Sequence, residues 1–173
     1  MHYTQTISSP LGNILLSADE VGLTGLWFDS GRYYAETLPE EHVERETPIL
    51  MDTKRWMDVY FTGREPDFTP PLHPVGSPFR QAGWQLLLEI PYGQTTTYGA
   101  LAKRLGGVRM SAQAVGGAVG HNPISIIVPC HRVVGANGSL TGYAGGLERK
   151  VRLLEIEQTD MDGLFRPKKG TAI

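Results

Sequence analysis

Apolar and polar positions change their rhythm twice along this chain. In the first 29 residues the runs YTQTISS, NILLSAD and VGLTGLWFD are short and rich in β-branched and aromatic side chains, and they are separated by the turn-like SPLG and DEVG. The pattern predicts a three-stranded antiparallel meander. An acidic loop from Glu36 to Glu46 follows. The rhythm then becomes helical: Thr47 offers an N-cap and Pro48 a first-turn proline, Ile49, Trp56, Val59 and Tyr60 recur at helical spacing, and Gly63 closes the segment. REPDFTPPLHPVGSP, with five prolines, cannot easily continue a helix or join a central strand and reads as an interdomain linker.

Beyond the linker the signals are helical again. Ser77-Pro78 caps a segment in which Phe79, Ala82, Leu86 and Leu87 share a face, ended by Pro91. Thr97 can cap a short helix from Tyr98 to Leu105, stopped by Gly106-Gly107, and Ser111 can cap another from Ala112 to Gly120, stopped before Pro123. Two short helices around a tight turn suggest helix-turn-helix. Ala112, Gly116 and Gly120 form a smooth stripe on the second helix, suited either to a packed neighbour or to close contact with a DNA groove. ISIIV reads as a buried strand, and RVVG and LTGY flank ANGS as a hairpin wing. A closing helix from Leu147 to Glu157 sets Leu147, Val151 and Leu154 on one stripe, with Glu148 and Arg152 paired outward and Glu157 at the stripe's edge. The fold class expected is α+β: a small N-terminal antiparallel sheet with one helix, then a winged-helix-like helix-turn-helix. The boundaries expected are 1–76 including the linker, 77–160, and a tail from 161 to 173.

Composition narrows the function classes. A chain of 173 residues, 40% hydrophobic and 20% charged, is that of a globular protein. No stretch approaches the roughly 18 apolar residues of a membrane span, and the N-terminus lacks a basic segment followed by an apolar run, so no membrane association is expected and the compartment expected is the cytoplasm. Residues 1–78 carry twelve acidic against five basic side chains, whereas residues 79–173 carry six against eleven. A basic C-terminal half suits a polyanionic partner as well as a plain solvated surface.

The chain's single cysteine, Cys130, excludes an internal disulfide framework and a Cys-rich zinc site. It lies between Pro129 and His131. A neighbouring imidazole that takes the thiol proton would lower the thiol pKa, but neighbours in a strand point to opposite faces, so a bend after Pro129 must bring the two together. By itself a lone cysteine is more often inert and buried.

The longer string NPISIIVPCHRVVGANGSLTGYAGGLERK, preceded by the helix-turn-helix segment, closely resembles the O6-alkylguanine-DNA alkyltransferases. The Pro-Cys-His-Arg tetrapeptide, with Asn-Pro upstream and Tyr-x-Gly-Gly downstream, carries the resemblance most strongly over residues 79–157, while residues 1–78 share only the family's ribonuclease-H-like layout. It implies that Cys130 takes the alkyl group from a flipped-out guanine in double-stranded DNA, irreversibly, in direct damage reversal. His131 then matches the family's base, acting on the thiol through a water, and Glu157 the acid that orients it. Asn122 matches the residue that brace the reactive turn, and Tyr98 the tyrosine that helps rotate the nucleotide and bonds the leaving guanine. Val128, Pro129, Tyr143 and Ala144 would line the base pocket. Arg132 is expected to support the fold. The DNA contacts implied are Ser111, Ala112, Gln113, Ala114 and Gly116, with Arg109 available for a phosphate. Gln113 stands where the family commonly has an arginine, so it brings neither the charge nor the stacking plane of a guanidinium. No cofactor and no metal are expected, and the chain is expected to be a monomer. A thiol hydrolase would use the same Cys and His but turn over repeatedly, and a module that only flags damage would share the pocket without the cysteine.

Overall fold

The computed structural model describes residues 1–106 and 111–167. Local polar contacts explain the first turns. Ser9 exchanges backbone hydrogen bonds with Gly12, and Asp19 Oδ1 accepts from the amides of Val21 and Gly22. These reversals join strands β1 (Tyr3–Ile7), β2 (Ile14–Ala18) and β3 (Leu23–Phe28) into the expected antiparallel meander, with Ile7 opposite Ile14 and Ile14 opposite Phe28. A fourth strand, β4 (Val43–Glu44), lies parallel to β1 and gives the order β3-β2-β1-β4. It falls inside the expected acidic loop. Two exposed residues carry no apolar alternation that would have announced it.

Helix α1 (Pro48–Tyr60) begins as expected: Thr47 accepts from the Leu50 amide, and Pro48 occupies the first turn, where its missing N–H costs nothing. Its inward face is Leu50, Thr53, Trp56, Met57 and Tyr60, a rotation from the expected stripe that leaves Ile49 and Val59 only half-buried. The proline-rich segment is not a free linker. Leu23 donates to the Pro71 carbonyl and accepts from the His73 amide, both at 2.7 Å, so the segment extends the sheet at its β3 edge, where prolines are tolerated.

Helix α2 (Pro78–Leu87) is capped by Ser77 as expected, but Gly83, Trp84 and Leu87 face inward, while Phe79 and Ala82 are exposed. The Trp84 indole donates to the Ala118 carbonyl at 2.9 Å and ties α2 to the helix-turn-helix. That unit comprises α3 (Tyr98–Gly106) and α4 (Ala112–Gly120), with Thr97 and Ser111 accepting from the amides of Ala100 and Ala114. Arg109, expected near a phosphate, lies outside the described residues. Strand β5 (Thr96–Thr97) pairs in parallel with β6 (Val133–Val134).

Three expectations in this half are corrected. Gly116 and Gly120 are buried, so these two positions of the α4 stripe pack against the protein and do not offer Gly116 to a groove, while Ala112 is exposed. ISIIV is not a strand. The Asn122 side chain donates to the carbonyls of Ile124 and Val128 and accepts from the Ile124 amide, while Ile126 sits at φ 70°, which folds the run into successive turns. ANGS does form a turn, with Gly135 donating to Ser139 at 2.9 Å and Gly138 at φ 92°, but no two-stranded wing follows. Leu140 donates instead to Phe165, whose own amide donates to Gly138, so the chain's last described segment takes the place of the returning strand.

The last helix, α5 (Leu147–Ile156), buries Val151, Leu153 and Leu154 as well as Lys150. Glu148 pairs with Arg166 rather than with Arg152. One hydrophobic core runs from Ile14, Leu26 and Tyr60 through Leu87 and Ile124 to Leu153, so both halves share it. Each fully buried aliphatic side chain contributes on the order of 2 kcal/mol. The halves also meet through backbone: Leu26 donates to the Pro123 carbonyl and accepts from the Ser125 amide, which anchors the turns before Cys130 on the N-terminal sheet. Among the described residues no helix is long and apolar enough to cross a membrane.

Candidate active site

The bend required after Pro129 is a single 3-10 turn, Cys130–Arg132, in which Arg132 donates to the Pro129 carbonyl at 3.0 Å. At three residues per turn, successive side chains diverge by about 120°, not the 180° of a strand, so Cys130 and His131 no longer face opposite ways. Asn122 braces the approach to this turn through three hydrogen bonds, the role the resemblance implies for it. Cys130 is 4% exposed and His131 fully buried.

The imidazole is held from one side only. His131 Nε2 lies 2.5 Å from Glu157 Oε2, and its Nδ1 has no hydrogen-bond partner among the described residues. Although burial opposes its charge, His131 and Arg132 together hold the Glu157 carboxyl down to about 2, and an ionised carboxylate can only accept. The hydrogen must therefore sit on Nε2, which leaves a lone pair on Nδ1. That is the tautomer of a base. Glu157 is 2% exposed, not solvated, and its other oxygen accepts from Arg132 Nε at 2.8 Å and the Gly93 amide at 3.4 Å. Arg132 also donates to the Ile90 carbonyl at 2.6 Å, so it ties the turn to the fold and in addition pairs with the Glu157 carboxylate.

Burial favours the neutral form of both reacting groups. Burial pushes the Cys130 thiol up, with only partial relief from Asn122 and the Lys150 charge, and burial pushes His131 down against the pull of Glu157. Burial thus favours a thiol and a neutral imidazole over the ion pair that a Cys-His neighbour could form.

Lys150 was missed in the sequence. It is buried, donates to the carbonyls of Val133 and Thr141 at 2.6 and 2.8 Å, and is brought down to about 8 by burial, against the attraction of the Cys130 site. Its signal was legible, since a lysine at 150 interrupts the Leu147, Val151, Leu154 stripe. Tyr60 was missed as well; its hydroxyl donates to Glu157 Oε2 at 2.6 Å from 97 residues away. No local pattern could announce that contact.

Of the remaining site residues, Tyr98 donates its hydroxyl toward the carbonyls of Thr141 and Gly142 at 3.2 and 3.1 Å, pinning α3 to the loop that carries Tyr143 and Ala144. The phenols of Tyr98 and Tyr143 are raised by burial and then by the prospective thiolate of Cys130. Val128, Pro129 and Tyr143 are buried with Cys130, and Ala144 is half-buried. Ser111, Ala112, Gln113 and Ala114 are all exposed at the start of α4. Among the described residues no cluster of three or more His, Cys, Asp or Glu could hold a metal ion.

A helix-turn-helix over a buried thiol with an imidazole–carboxylate relay defines the class. Residues 1–74 match the family described as 6-O-methylguanine DNA methyltransferase, ribonuclease-like domain, and residues 78–159 match its DNA binding domain. The chain is 46% identical over 155 residues to the methylated-DNA–protein-cysteine methyltransferase of Methanosarcina acetivorans, covering 90% of this chain and 97% of that one. With the Haemophilus influenzae protein of the same name the identity is 42% over 159 residues, covering 91% and 87%. Among solved structures, Mycobacterium tuberculosis OGT in complex with DNA matches with a TM-score of 0.80 at 40% identity, covering 90% of this chain and 92% of that one. The chain belongs to the 6-O-methylguanine DNA methyltransferase family.

Proposed function

We propose that this protein repairs DNA by direct reversal: it flips O6-alkylguanine, and also O4-alkylthymine, out of duplex DNA and moves the alkyl group to Cys130 as a methylated-DNA–protein-cysteine S-methyltransferase. The observation that carries the reading is the His131 tautomer. Its Nε2–H is committed to Glu157, while Nδ1 has no hydrogen-bond partner among the described residues and keeps a lone pair on the residue next in sequence to the chain's only thiol. Nδ1 takes the thiol proton through a water, the sulfur–carbon bond forms as the alkyl carbon–O6 bond breaks, and the guanine that leaves as its anion regains, through solvent, the proton that the His131 imidazolium gives up. A soft thiolate suits attack on a saturated carbon. The thioether product is stable, and the chain has no second thiol to resolve it, so each molecule acts once.

In this reading Tyr98 helps rotate the nucleotide and bonds the leaving base, and Val128, Pro129, Tyr143 and Ala144 line its pocket. Ser111 to Ala114 approach the minor groove, where small side chains allow backbone proximity and base flipping supplies specificity. The functional units are residues 1–76, 77–160 and a tail from 161 to 173, working as a monomer in the cytoplasm without cofactor or metal. The neutral resting thiol fits a single-use protein, because it withholds reactivity until a base occupies the site. The test is stoichiometry with duplex DNA bearing labelled O6-methylguanine. Label should move to the protein up to one equivalent and stop; continued release of label in small-molecule form would overturn the reading in favour of a hydrolase.

A further inference from the structure

Helix α1 belongs to the N-terminal half, yet its last residue reaches the reaction centre. Tyr60 is completely buried, and its ring stacks on Trp56 with centroids 5.1 Å apart and meets Tyr92 edge-on at 6.3 Å. This aromatic packing aims the hydroxyl at Glu157 Oε2, 2.6 Å away, and the same oxygen accepts from His131 Nε2 at 2.5 Å. We propose that Tyr60 is a positioning residue for alkyl transfer: by sharing one carboxylate oxygen with His131 it sets how strongly Glu157 pulls on the imidazole, so the base is tuned from the N-terminal half of the chain. The proposal rests on the reading above that His131 is the base.

A carboxylate oxygen that accepts two hydrogen bonds gives each donor less than it would give one alone. Hydrogen bonds to charged groups are stronger than those between neutral groups, so removing one redistributes a substantial attraction. Without the Tyr60 hydroxyl, Glu157 Oε2 would turn its full basicity on His131 and favour the imidazolium. The other groups that face the relay stay as they are. Arg132 and Lys150 disfavour a cation at His131, Arg132 holds the opposite Glu157 oxygen, and Cys130, Tyr92 and Tyr143 are neutral near pH 7. A tyrosine that served only packing would change stability and leave the basicity of His131 alone.

The test is single-turnover methyl transfer from O6-methylguanine duplex by the full-length protein, measured from acid to alkaline pH. In the wild type the rate should rise as His131 loses its proton. Tyr60→Phe removes one oxygen from a packed ring and should move that rise to higher pH by about one unit, a several-fold loss of rate on the acid side with little change on the alkaline side. Placing 3-fluorotyrosine at position 60 keeps the ring and makes the phenol a stronger donor, so it should move the rise to lower pH. This second variant decides the matter if Tyr60→Phe does not fold. A folded variant whose pH profile superimposes on that of the wild type would overturn the proposal. Absence of transfer by the wild type, read before any variant, would overturn the underlying reading and the proposal together.

Discussion

Replacing Glu157 by glutamine separates charge from shape at the centre of the relay. Wild-type Glu157 accepts from Tyr60 and His131 on one oxygen and from Arg132 and Gly93 on the other. An amide keeps one acceptor and turns the other into a donor. Placed toward Arg132 it sets donor against donor; placed toward His131 it invites the ring to accept at Nε2 and move its hydrogen to Nδ1, the nitrogen needed as base. Transfer at neutral pH should therefore slow on the order of a hundredfold or more, the usual scale of a misplaced general base, without disappearing. The stability effect has a definite pH signature. The folded carboxyl lies at about 2 against the usual 4.5, so it is depressed, and its contribution is present above pH 4.5 and is lost as the pH falls toward 2. At 1.36 kcal/mol per unit the full contribution is about 3 kcal/mol, of which about 2 kcal/mol is gone by about pH 3. Urea unfolding of wild type and Glu157→Gln over this range is the assay. The gap between them should be constant near neutrality and narrow by that amount on acidification. A gap independent of pH, or a wild-type transfer rate for the variant, would refute the assignment of Glu157 as the ionised partner of His131.

Cys130→Ser should abolish transfer while binding to alkylated duplex persists in a mobility-shift assay, because an alcohol is far harder to deprotonate than a thiol and phosphate contacts do not need the sulfur. Gln113→Arg, at an exposed position of α4, should strengthen DNA binding by severalfold at low salt, with the gain shrinking as salt rises; equal affinity at every salt concentration would remove Gln113 from the interface. Lys150→Met should slow single-turnover transfer at neutral pH by removing the cation that draws the Cys130 thiol down. Because Lys150 itself titrates at about 8, the difference from wild type should close above that pH, and a difference that persists would show that the two carbonyl contacts, not the charge, are what matter.

Capping signals carried most of the secondary structure that was legible in the sequence. Thr47-Pro48, Ser77-Pro78, Thr97 and Ser111 all start the helices they were expected to start, since each satisfies an amide within its own first turn and needs nothing distant. Which face a helix buries was read less well: Phe79 looked like core and is exposed, because α4 lies on the side that takes Trp84. ISIIV misled because its β-branched composition describes burial, whereas Asn122 supplies the hydrogen-bond partners that make turns out of it. At the site, Cys130, His131, Asn122 and Glu157 were reachable through one contiguous motif and its downstream helix. Tyr60 was not, since its contact closes over 97 residues, nor was β4, whose two residues pair with β1 through backbone alone.

The most direct test of the account is a peptide mass map of the wild-type protein after incubation with duplex DNA containing O6-methylguanine, with the released base state of the DNA measured in the same sample. The account predicts one methyl group on the peptide holding Cys130, on the sulfur, and an equal number of guanines restored to their unmodified form. Methyl on any other residue, or restored guanine without methyl on Cys130, would contradict it.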